Sequence, residues 1–366
     1  MRLASSDFPH LGILTYDLAD LPQTLPADWS KYVLGMLKVA AEDGLLTLPD
    51  GAPNPGPSSA PAQHLHIMNG GEQLPEASAK QNLQLPLLSG FDLLVGGDLP
   101  IANGLSSSHA LMVLCGLVLS ELYAAPWQGE EGLKRLALAA QRCENRYIGV
   151  QSGIMDGFVI ALGHPGEAML LHCDSLEYKH IPMSLGDTQL WIIDSGVSRE
   201  LSASAYNQRY AECQEALGCL NLAGRNYHNL AEVDPDLCPG WSAAIADPIL
   251  RRRARHVISE NRRTLAAAEA LSSGDLQKLG ALMNASHLSL QKDYEVTGEA
   301  LDTLFELFSA EKACRGSRMT GAGFGGCYIA LLEAREAEGI LRRVQAGYKQ
   351  RMGLDCEAFQ LIIINY

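Results

Sequence analysis

Glycine occupies four of the six positions 321–326, and this cluster constrains the fold more than any other segment. Its spacing satisfies G-x-G-x-x-G, but a dinucleotide-binding fingerprint follows a strand and opens a helix. Here the polar residues 315–318 come before the glycines and a strand-like run, 327–332, comes after them. No Lys-Ser or Lys-Thr follows, which excludes a Walker A loop. The cluster predicts either a plain tight turn or, preferably, a loop packed against a ligand or another backbone.

The composition favours small molecules as ligands. The 366 residues are 47% hydrophobic, which excludes a disordered protein, and they carry a net charge of −14. At about 100–200 residues per domain, this length allows two domains, each with its own core. A polyanion repels phosphate backbones and anionic lipid, so we expect no nucleic-acid partner and no membrane partner.

The nine cysteines show no pattern, which predicts reduced thiols and a cytoplasmic location. Residues 1–20 contain three aspartates and no apolar core, so we expect no signal peptide. The longest apolar run, 110–119, is too short to span a bilayer.

Long helical segments begin soon after residue 195, and this change in pattern predicts two domains, 1–195 and 196–366. Residues 48–88, rich in proline, predict a long exposed loop inserted in the first domain. In the first domain, the predicted strands are 91–95, 158–162, 167–173 and 190–193, with a hairpin turn at 164–166. The predicted helices are 110–122 and 132–147, and the first of them is expected to be buried on all sides. In the second domain, the predicted elements are helices at 203–223, 250–273, 275–290, 299–312 and 335–351, and strands at 327–332 and 359–364.

Two further segments carry candidate chemistry. Residues 100–108, Pro-Ile-Ala-Asn-Gly-Leu-Ser-Ser-Ser, lead into a helix whose first turn suits phosphate, although serine and glycine are also ordinary capping residues. Residues 152–157, Ser-Gly-Ile-Met-Asp-Gly, make Asp156 either a helix cap or an active-site carboxylate.

In this order, the two segments and the glycine cluster resemble the galactokinase branch of the GHMP small-molecule kinases. The resemblance extends from about residue 90 to the C-terminus and, more weakly, over residues 1–46. Further segments with this likeness are 143–149, 173–176, 204–209, 253–260, 286–287 and 292–296.

The resemblance implies an α+β GHMP kinase fold with two domains. It implies an N-terminal mixed α/β domain, a C-terminal ferredoxin-like domain of helices and sheet, and an active site between them. The implied activity is phosphorylation of the anomeric hydroxyl of galactose or a related monosaccharide, with ATP and Mg²⁺. We expect a monomer whose partners are this sugar and ATP.

The resemblance also assigns roles to individual residues. Asp156 corresponds to the catalytic aspartate. Asp156, Gly153 and Tyr206 would contact the sugar, while Ser108 and Glu144 would face the metal. Two loops would contact the nucleotide phosphates, one through Pro100, Gly104, Leu105, Ser106, Ser107 and Ser108 and the other through Gly321, Gly323 and Gly325.

The chain departs from the galactokinase pattern at four places, one of which is Ala102-Asn103, where the family has Gly-Ala in the serine segment. The family's first motif, Gly-Arg-x-Asn-x-x-Gly-Glu-His-x-Asp-Tyr, which supplies an arginine beside the catalytic aspartate, occurs nowhere in this chain. This leaves an alternative open, a catalytically impaired relative that binds nucleotide or sugar as a sensor or interaction partner. His109 replaces a usual alanine and Gly157 a usual glutamine. At the first turn of its helix, His109 is either in contact with a phosphate or, preferably, solvated.

Six arginines between positions 251 and 263 predict a solvated helix face. A nucleic-acid site is the weaker interpretation, because Glu260 interrupts the arginines and the whole chain is acidic.

Overall fold

The computed structural model of the chain describes residues 1–46, 90–97, 99, 104–123, 125–197 and 202–363. They fall into two compact units. The first unit comprises Met1–Leu99, Ser107–Gly163 and Leu171–Tyr178, and the second comprises Pro100–Ser106, His164–Leu170 and Lys179–Tyr366. The mixture of helices and sheets confirms the predicted α+β class. The boundary near residue 195 stays a prediction, and the loop at 48–88 lies outside the described residues.

The first unit packs helices around α1 and carries a small sheet. Its elements are β1 (Arg2–Ser5), β2 (Leu14–Thr15), α1 (Ser30–Glu42), β3 (Asp92–Val95), α2 (Ser107–Tyr123), α3 (Gly129–Cys143) and α4 (Met155–Leu162). The sheet order is β2-β1-β3, with β1 antiparallel to β2 and parallel to β3. Leu34 and Leu37 of α1 are fully buried in a cluster with Met112 of α2 and Leu136 of α3.

The second unit is built on an antiparallel sheet of order β7-β8-β6-β9. Its elements are β4 (Glu167–Leu171), β5 (Tyr178–Pro182), β6 (Thr188–Asp194), α5 (Ser202–Leu222), α6 (Pro248–Ser273), α7 (Leu276–Ser289), α8 (Gly298–Ser309), β7 (Cys314–Met319), β8 (Cys327–Glu333), α9 (Ala337–Met352) and β9 (Glu357–Gln360). Strands β4 and β5 form a separate hairpin, whose tip at 171–178 groups with the first unit. Phe308, Tyr328 and Tyr348 are fully buried in the core.

Capping residues explain where the long helices begin and end. The Asp247 side chain accepts hydrogen bonds from the first turn of α6, and Pro248 takes the first helical position, where its missing N–H is not needed. Gly274, with a φ of 71°, ends this helix, and Asp275 caps α7. The long helices predicted beyond residue 195 are confirmed, with bounds shifted by at most three residues.

The predicted strand at 158–162 is wrong, because these residues form most of helix α4. Every position of this run is apolar, so neither the helical nor the strand period stands out in the sequence. In the structure, Phe158 and Leu162, four residues apart, are buried, while Val159 and Ile160 are exposed. The turn at 164–166 therefore joins a helix to β4, and the hairpin is formed by β4 and β5.

The polar segment 315–318 is also a strand, contrary to the sequence interpretation. It belongs to β7, at the edge of the sheet. The N–H groups of Ser317 and Met319 donate to Asn284 Oδ1 at 2.8 Å and to His287 Nδ1 at 3.2 Å, both on α7. Helix α7 thus satisfies an edge that would otherwise be open to pairing with another chain.

Helix α7 and strand β7 come into backbone contact at Gly280 and Gly316. A Cβ atom on Gly280 would fall well inside contact distance of the Arg315 carbonyl, and one on Gly316 would meet the backbone of Gly280. Neither residue has a positive φ. Glycine is therefore required here for space and not for conformation.

The arginine-rich face of α6 is largely paired. Arg253 is buried and bonds to Glu212 Oε2 at 2.6 Å, to Asp293 O at 2.6 Å and to Glu295 Oε2 at 2.6 Å. The predicted solvated face is therefore wrong at Arg253, whose guanidinium links α5, α6 and the turn that follows α7.

The helix predicted at 110–122 is confirmed as α2, but it is not buried on all sides. Leu114 and Leu117 are exposed, whereas Met112 and Leu119 lie in the core. In the described part of the chain, no helix combines the length and the apolar character needed to cross a membrane.

We expect Gly280→Ala to destabilise the protein, because a methyl group must displace the β7 backbone. We expect the free energy of unfolding, measured by urea denaturation, to fall by about 1–3 kcal/mol or more. The matched control is Gly218→Ala on α5, where a Cβ meets nothing within 4 Å. This variant should be neutral or up to about 1 kcal/mol more stable. Equal effects of the two substitutions would contradict the close contact.

A second prediction concerns His256, a buried α6 residue whose Nδ1 lies 3.0 Å from Ser289 Oγ. Burial lowers the pKa of this imidazole from 6.5 to about 4. Between these pH values, the unfolded chain takes up a proton that the folded ring does not, so stability falls as the pH falls. The loss is about 3 kcal/mol at 1.36 kcal/mol per pKa unit.

Unfolding free energies measured across this pH range should therefore fall less steeply in His256→Gln than in the wild type. His172→Gln, at an exposed position, serves as the control and should keep the wild-type slope. A wild-type slope in His256→Gln would show that other groups cause the acid sensitivity.

Candidate active site

Asp156 lies in the first turn of α4, where the positive end of the helix dipole favours a carboxylate. The segment before α4 is held in place by two side chains. Gln141 Nε2 donates to Ser152 O at 3.1 Å, and Ser152 Oγ donates to Asn145 Oδ1 at 3.1 Å. Within this segment, Gly153 is exposed, and a Cβ on it would meet nothing within 4 Å. These bonds fix the start of α4 and with it the position of Asp156.

Glu144 begins a π-helical turn, Glu144–Ile148, directly after α3. Such turns are frequent at functional sites. The Glu144 carboxylate is buried and lies 3.3 Å from His109 Nε2. Burial and, secondarily, the Glu144 charge raise the pKa of Tyr32 on α1. Carboxylate oxygen is the ligand that Mg²⁺ prefers, so Glu144 fits the predicted metal role.

The serine segment enters α2 through two left-handed residues. Gly104 has a φ of 85° and Ser106 a φ of 57°, and a positive φ is uncommon for a residue other than glycine. Helix α2 begins at Ser107 and is 17 residues long, so its first turn offers N–H groups and a positive dipole end to an anion. Residues 104–108 are half-buried, and Pro100 lies outside the described residues.

Two departures from the galactokinase pattern, His109 and Gly157, are neighbours. A Cβ on Gly157 would lie 3.3 Å from His109 Cδ2 and 3.3 Å from Ala137 O. The imidazole therefore occupies the space that a side chain at position 157 would need. His109 is only 3% exposed, so the expectation of a solvated histidine is wrong.

Within the first unit, His109 contacts one predicted site residue, Glu144, and lies close in the chain or in space to the segments of two others. Ser108 precedes it in the chain, the Glu144 carboxylate faces its ring, and Asp156 precedes Gly157 beneath the ring. In the sequence, a large residue replaces a small one at position 109 and a small residue replaces a large one at position 157. This pair of changes indicates a contact only once the fold places the two positions side by side.

The glycine cluster at 321–326 connects β7 to β8 and packs against backbone. A Cβ on Gly323 would fall inside contact distance of Val296 O, and one on Gly325 would lie 2.7 Å from Val197 O. The preferred interpretation of the cluster, a loop packed closely against a ligand or another backbone, is confirmed for the backbone.

The backbone amides of this loop fall into two groups, those that bond to a protein carbonyl and those that do not. Phe324 N donates to Val296 O at 2.7 Å, and Gly326 N donates to Val197 O at 3.1 Å. Within the described residues, the N–H groups of 321–323 donate to no protein acceptor. Gly321 is exposed and has a φ of 70°.

The remaining predicted site residue, Tyr206, lies half-buried on α5. Tyr206 and the glycine cluster belong to the second unit, whereas Asp156, Glu144 and Ser108 belong to the first. The roles predicted for these residues stay predictions.

Two family models of the GHMP kinases match the chain, one in each half. The model of the GHMP kinases N-terminal domain matches residues 74–164, and that of the GHMP kinases C-terminal region matches residues 267–350.

Comparisons with single proteins give galactokinases. The chain is 35% identical to the galactokinase of Enterococcus faecalis over 353 residues, which cover 96% of this chain and 80% of that one. It is 40% identical to the galactokinase of Limosilactobacillus reuteri over 276 residues, 75% of this chain and 69% of that one. Among solved structures, Lactococcus lactis galactokinase complexed with galactose matches with a TM-score of 0.82 and 34% identity, over 98% of this chain and 81% of that one.

The contact between His109 and Gly157 predicts that the two positions depend on each other. Gly157→Gln alone should destabilise the protein by about 1–3 kcal/mol, because the ring blocks the new side chain. In the double variant His109→Ala/Gly157→Gln, the glutamine can occupy the vacated space. A double-mutant cycle of unfolding free energies should then show a favourable coupling of about 0.5–3 kcal/mol.

Gly153→Gln is the matched control, since position 153 is exposed and has open space. Its effect should stay within about 0.5 kcal/mol. Additive effects of the substitutions at 109 and 157 would contradict the contact.

Proposed function

Because this chain belongs to the galactokinase family of the GHMP kinases, we propose that it is an ATP-dependent galactose kinase acting on the anomeric hydroxyl. The observation that carries this conclusion is the similarity to a galactokinase structure that contains galactose, over 98% of the chain. Nothing in the similarities favours the alternative of an impaired sensor.

Asp156 accepts the proton of the attacking hydroxyl. Phosphoryl transfer leaves little covalent chemistry to the protein, so one correctly placed base, positioning and charge stabilisation account for most of catalysis. The bonds of Gln141 and Ser152 that fix the start of α4 supply this positioning. The exposed Gly153 leaves open space three residues before Asp156, and Gly153 and Tyr206 contact the sugar in this proposal.

The first turn of α2 binds the nucleotide phosphates through its free N–H groups and the hydroxyls of Ser106, Ser107 and Ser108. On the glycine cluster, the amides of 321–323 take the same role, because those of Phe324 and Gly326 already bond to protein carbonyls. Gly325 then acts by allowing close packing against Val197.

Ser108 and Glu144 would hold Mg²⁺, which neutralises charge on the phosphates when bound. The buried His109 ring packs beside Glu144, with Nε2 3.3 Å from the carboxylate. The monomeric state and the cytoplasmic location stay predictions.

We expect Asp156→Asn to lower kcat for galactose by about 10²–10⁴-fold, because an amide accepts no proton. The dissociation constant for ATP should change little, since the phosphates are bound elsewhere. ADP release in the presence of galactose, glucose and N-acetylgalactosamine measures turnover and sugar preference, and a fluorescent nucleotide measures binding.

Asp20→Asn, at an exposed position in the first unit, is the matched control and should keep wild-type turnover. Wild-type turnover in Asp156→Asn would show that Asp156 serves only the helix start. ATP binding without turnover on any sugar in the wild type would overturn the kinase assignment.

A further inference from the structure

A cluster of potential metal ligands lies at the start of the β4–β5 hairpin. It consists of His164, Glu167 and His180, whose nearest ligand atoms all lie within 4.8 Å of one another. Glu167 Oε2 is 3.2 Å from His164 Nδ1 and 3.4 Å from His180 Nδ1. None of these residues has a role in the proposed kinase reaction.

Local sequence brings the first two side chains together. His164, Pro165, Gly166 and Glu167 form a tight turn in which Glu167 N donates to His164 O at 3.2 Å. A type II turn needs a positive φ at its third position, which Gly166 supplies with a φ of 78°, and favours proline at its second. The turn fixes the first and fourth residues close to each other.

The pairing of β4 with β5 adds the third side chain. Glu167 is the first residue of β4, and His180 is the central residue of β5. The two imidazole rings are stacked, with centroids 3.9 Å apart and an angle of 4° between their planes. Both Nδ1 atoms lie within 3.4 Å of the same Glu167 oxygen. Because the in-plane lone pairs of parallel rings do not converge, at least one ring must turn about its Cβ–Cγ bond for both to bind one ion.

The two distances from the Glu167 oxygen are those expected between neighbouring ligands of a tetrahedral metal. Zinc bonds of about 2.0–2.1 Å to nitrogen and about 2.0–2.2 Å to carboxylate oxygen place neighbouring ligand atoms about 3.3–3.5 Å apart. The distances of 3.2 and 3.4 Å from Glu167 match this edge within the tolerance of a metal site. The His164 side chain is 63% exposed, so solvent has access to a fourth position.

We infer that His164, Glu167 and His180 form a binding site for a divalent transition metal of the zinc class, with water as a further ligand. Two imidazoles and one carboxylate suit zinc, cobalt or nickel, whereas Mg²⁺ and Ca²⁺ prefer oxygen ligands alone. The bound metal connects the turn before β4 to the middle of β5. The site uses none of the residues assigned to the phosphates, the sugar or Mg²⁺.

The test is a titration of the whole reduced protein with Zn²⁺, followed by calorimetry, and with Co²⁺, followed by its visible spectrum. We expect one metal ion per chain and a cobalt spectrum without thiolate charge transfer. His164→Gln and His180→Gln should each weaken binding at least about tenfold, since even the loss of a ligand's hydrogen-bond partner costs about 10–100-fold. Because His164 is exposed, its substitution does not endanger folding.

His172→Gln and Cys173→Ser are the matched controls, since both are exposed potential ligands at the tip of the same hairpin. They should leave the affinity unchanged, and millimolar Mg²⁺ should not displace Zn²⁺. The inference is overturned if the wild type binds no Zn²⁺ at millimolar concentration, if both histidine variants bind as tightly as the wild type, or if either control variant or Mg²⁺ abolishes binding. In the first case, the cluster is only a polar contact in which His164 Nδ1 forms a hydrogen bond with Glu167.

Discussion

The backbone contact between α7 and β7 is the constraint on which much of the second unit depends. Gly280 and Gly316 carry no side chains, so the helix approaches the edge strand closely enough for Asn284 and His287 to bond to its N–H groups. An edge strand satisfied in this way needs no further partner. Because β7 leads directly into the glycine cluster at 321–326, the same contact determines where that loop starts.

This contact also explains why the sequence predicted the helices of the second unit better than its sheet. Helix α6 has an aspartate before it, a proline at its first position and a glycine after it, all of which are local signals. Strand β7 has no apolar alternation, and its outer N–H groups bond to a helix that precedes it by some 25 residues of chain. Helix α4 was misread for the opposite reason, since a run that is apolar at every position has no readable period.

In the candidate site, too, local sequence patterns could be interpreted, whereas contacts between distant positions could not. The serine segment and Asp156 are candidates because each stands in a short run of residues that suggests its own chemistry, whereas Glu144 is assigned by the resemblance to galactokinases. His109 was misjudged because its burial depends on Gly157, 48 positions further along, and on the Glu144 carboxylate. The exchange of side-chain size between two positions keeps the local volume nearly constant, which is the kind of change that a packed interior tolerates.

The glycine cluster shows how far a motif alone can assign function. The resemblance assigns one role to Gly321, Gly323 and Gly325, whereas the structure gives these glycines different surroundings. Gly323 and Gly325 are required because the Val296 and Val197 carbonyls come too close for any side chain. Close packing of this kind needs no ligand to explain it. The case for phosphate contact in this loop therefore rests on the amides of 321–323, which bond to no protein acceptor in the described residues.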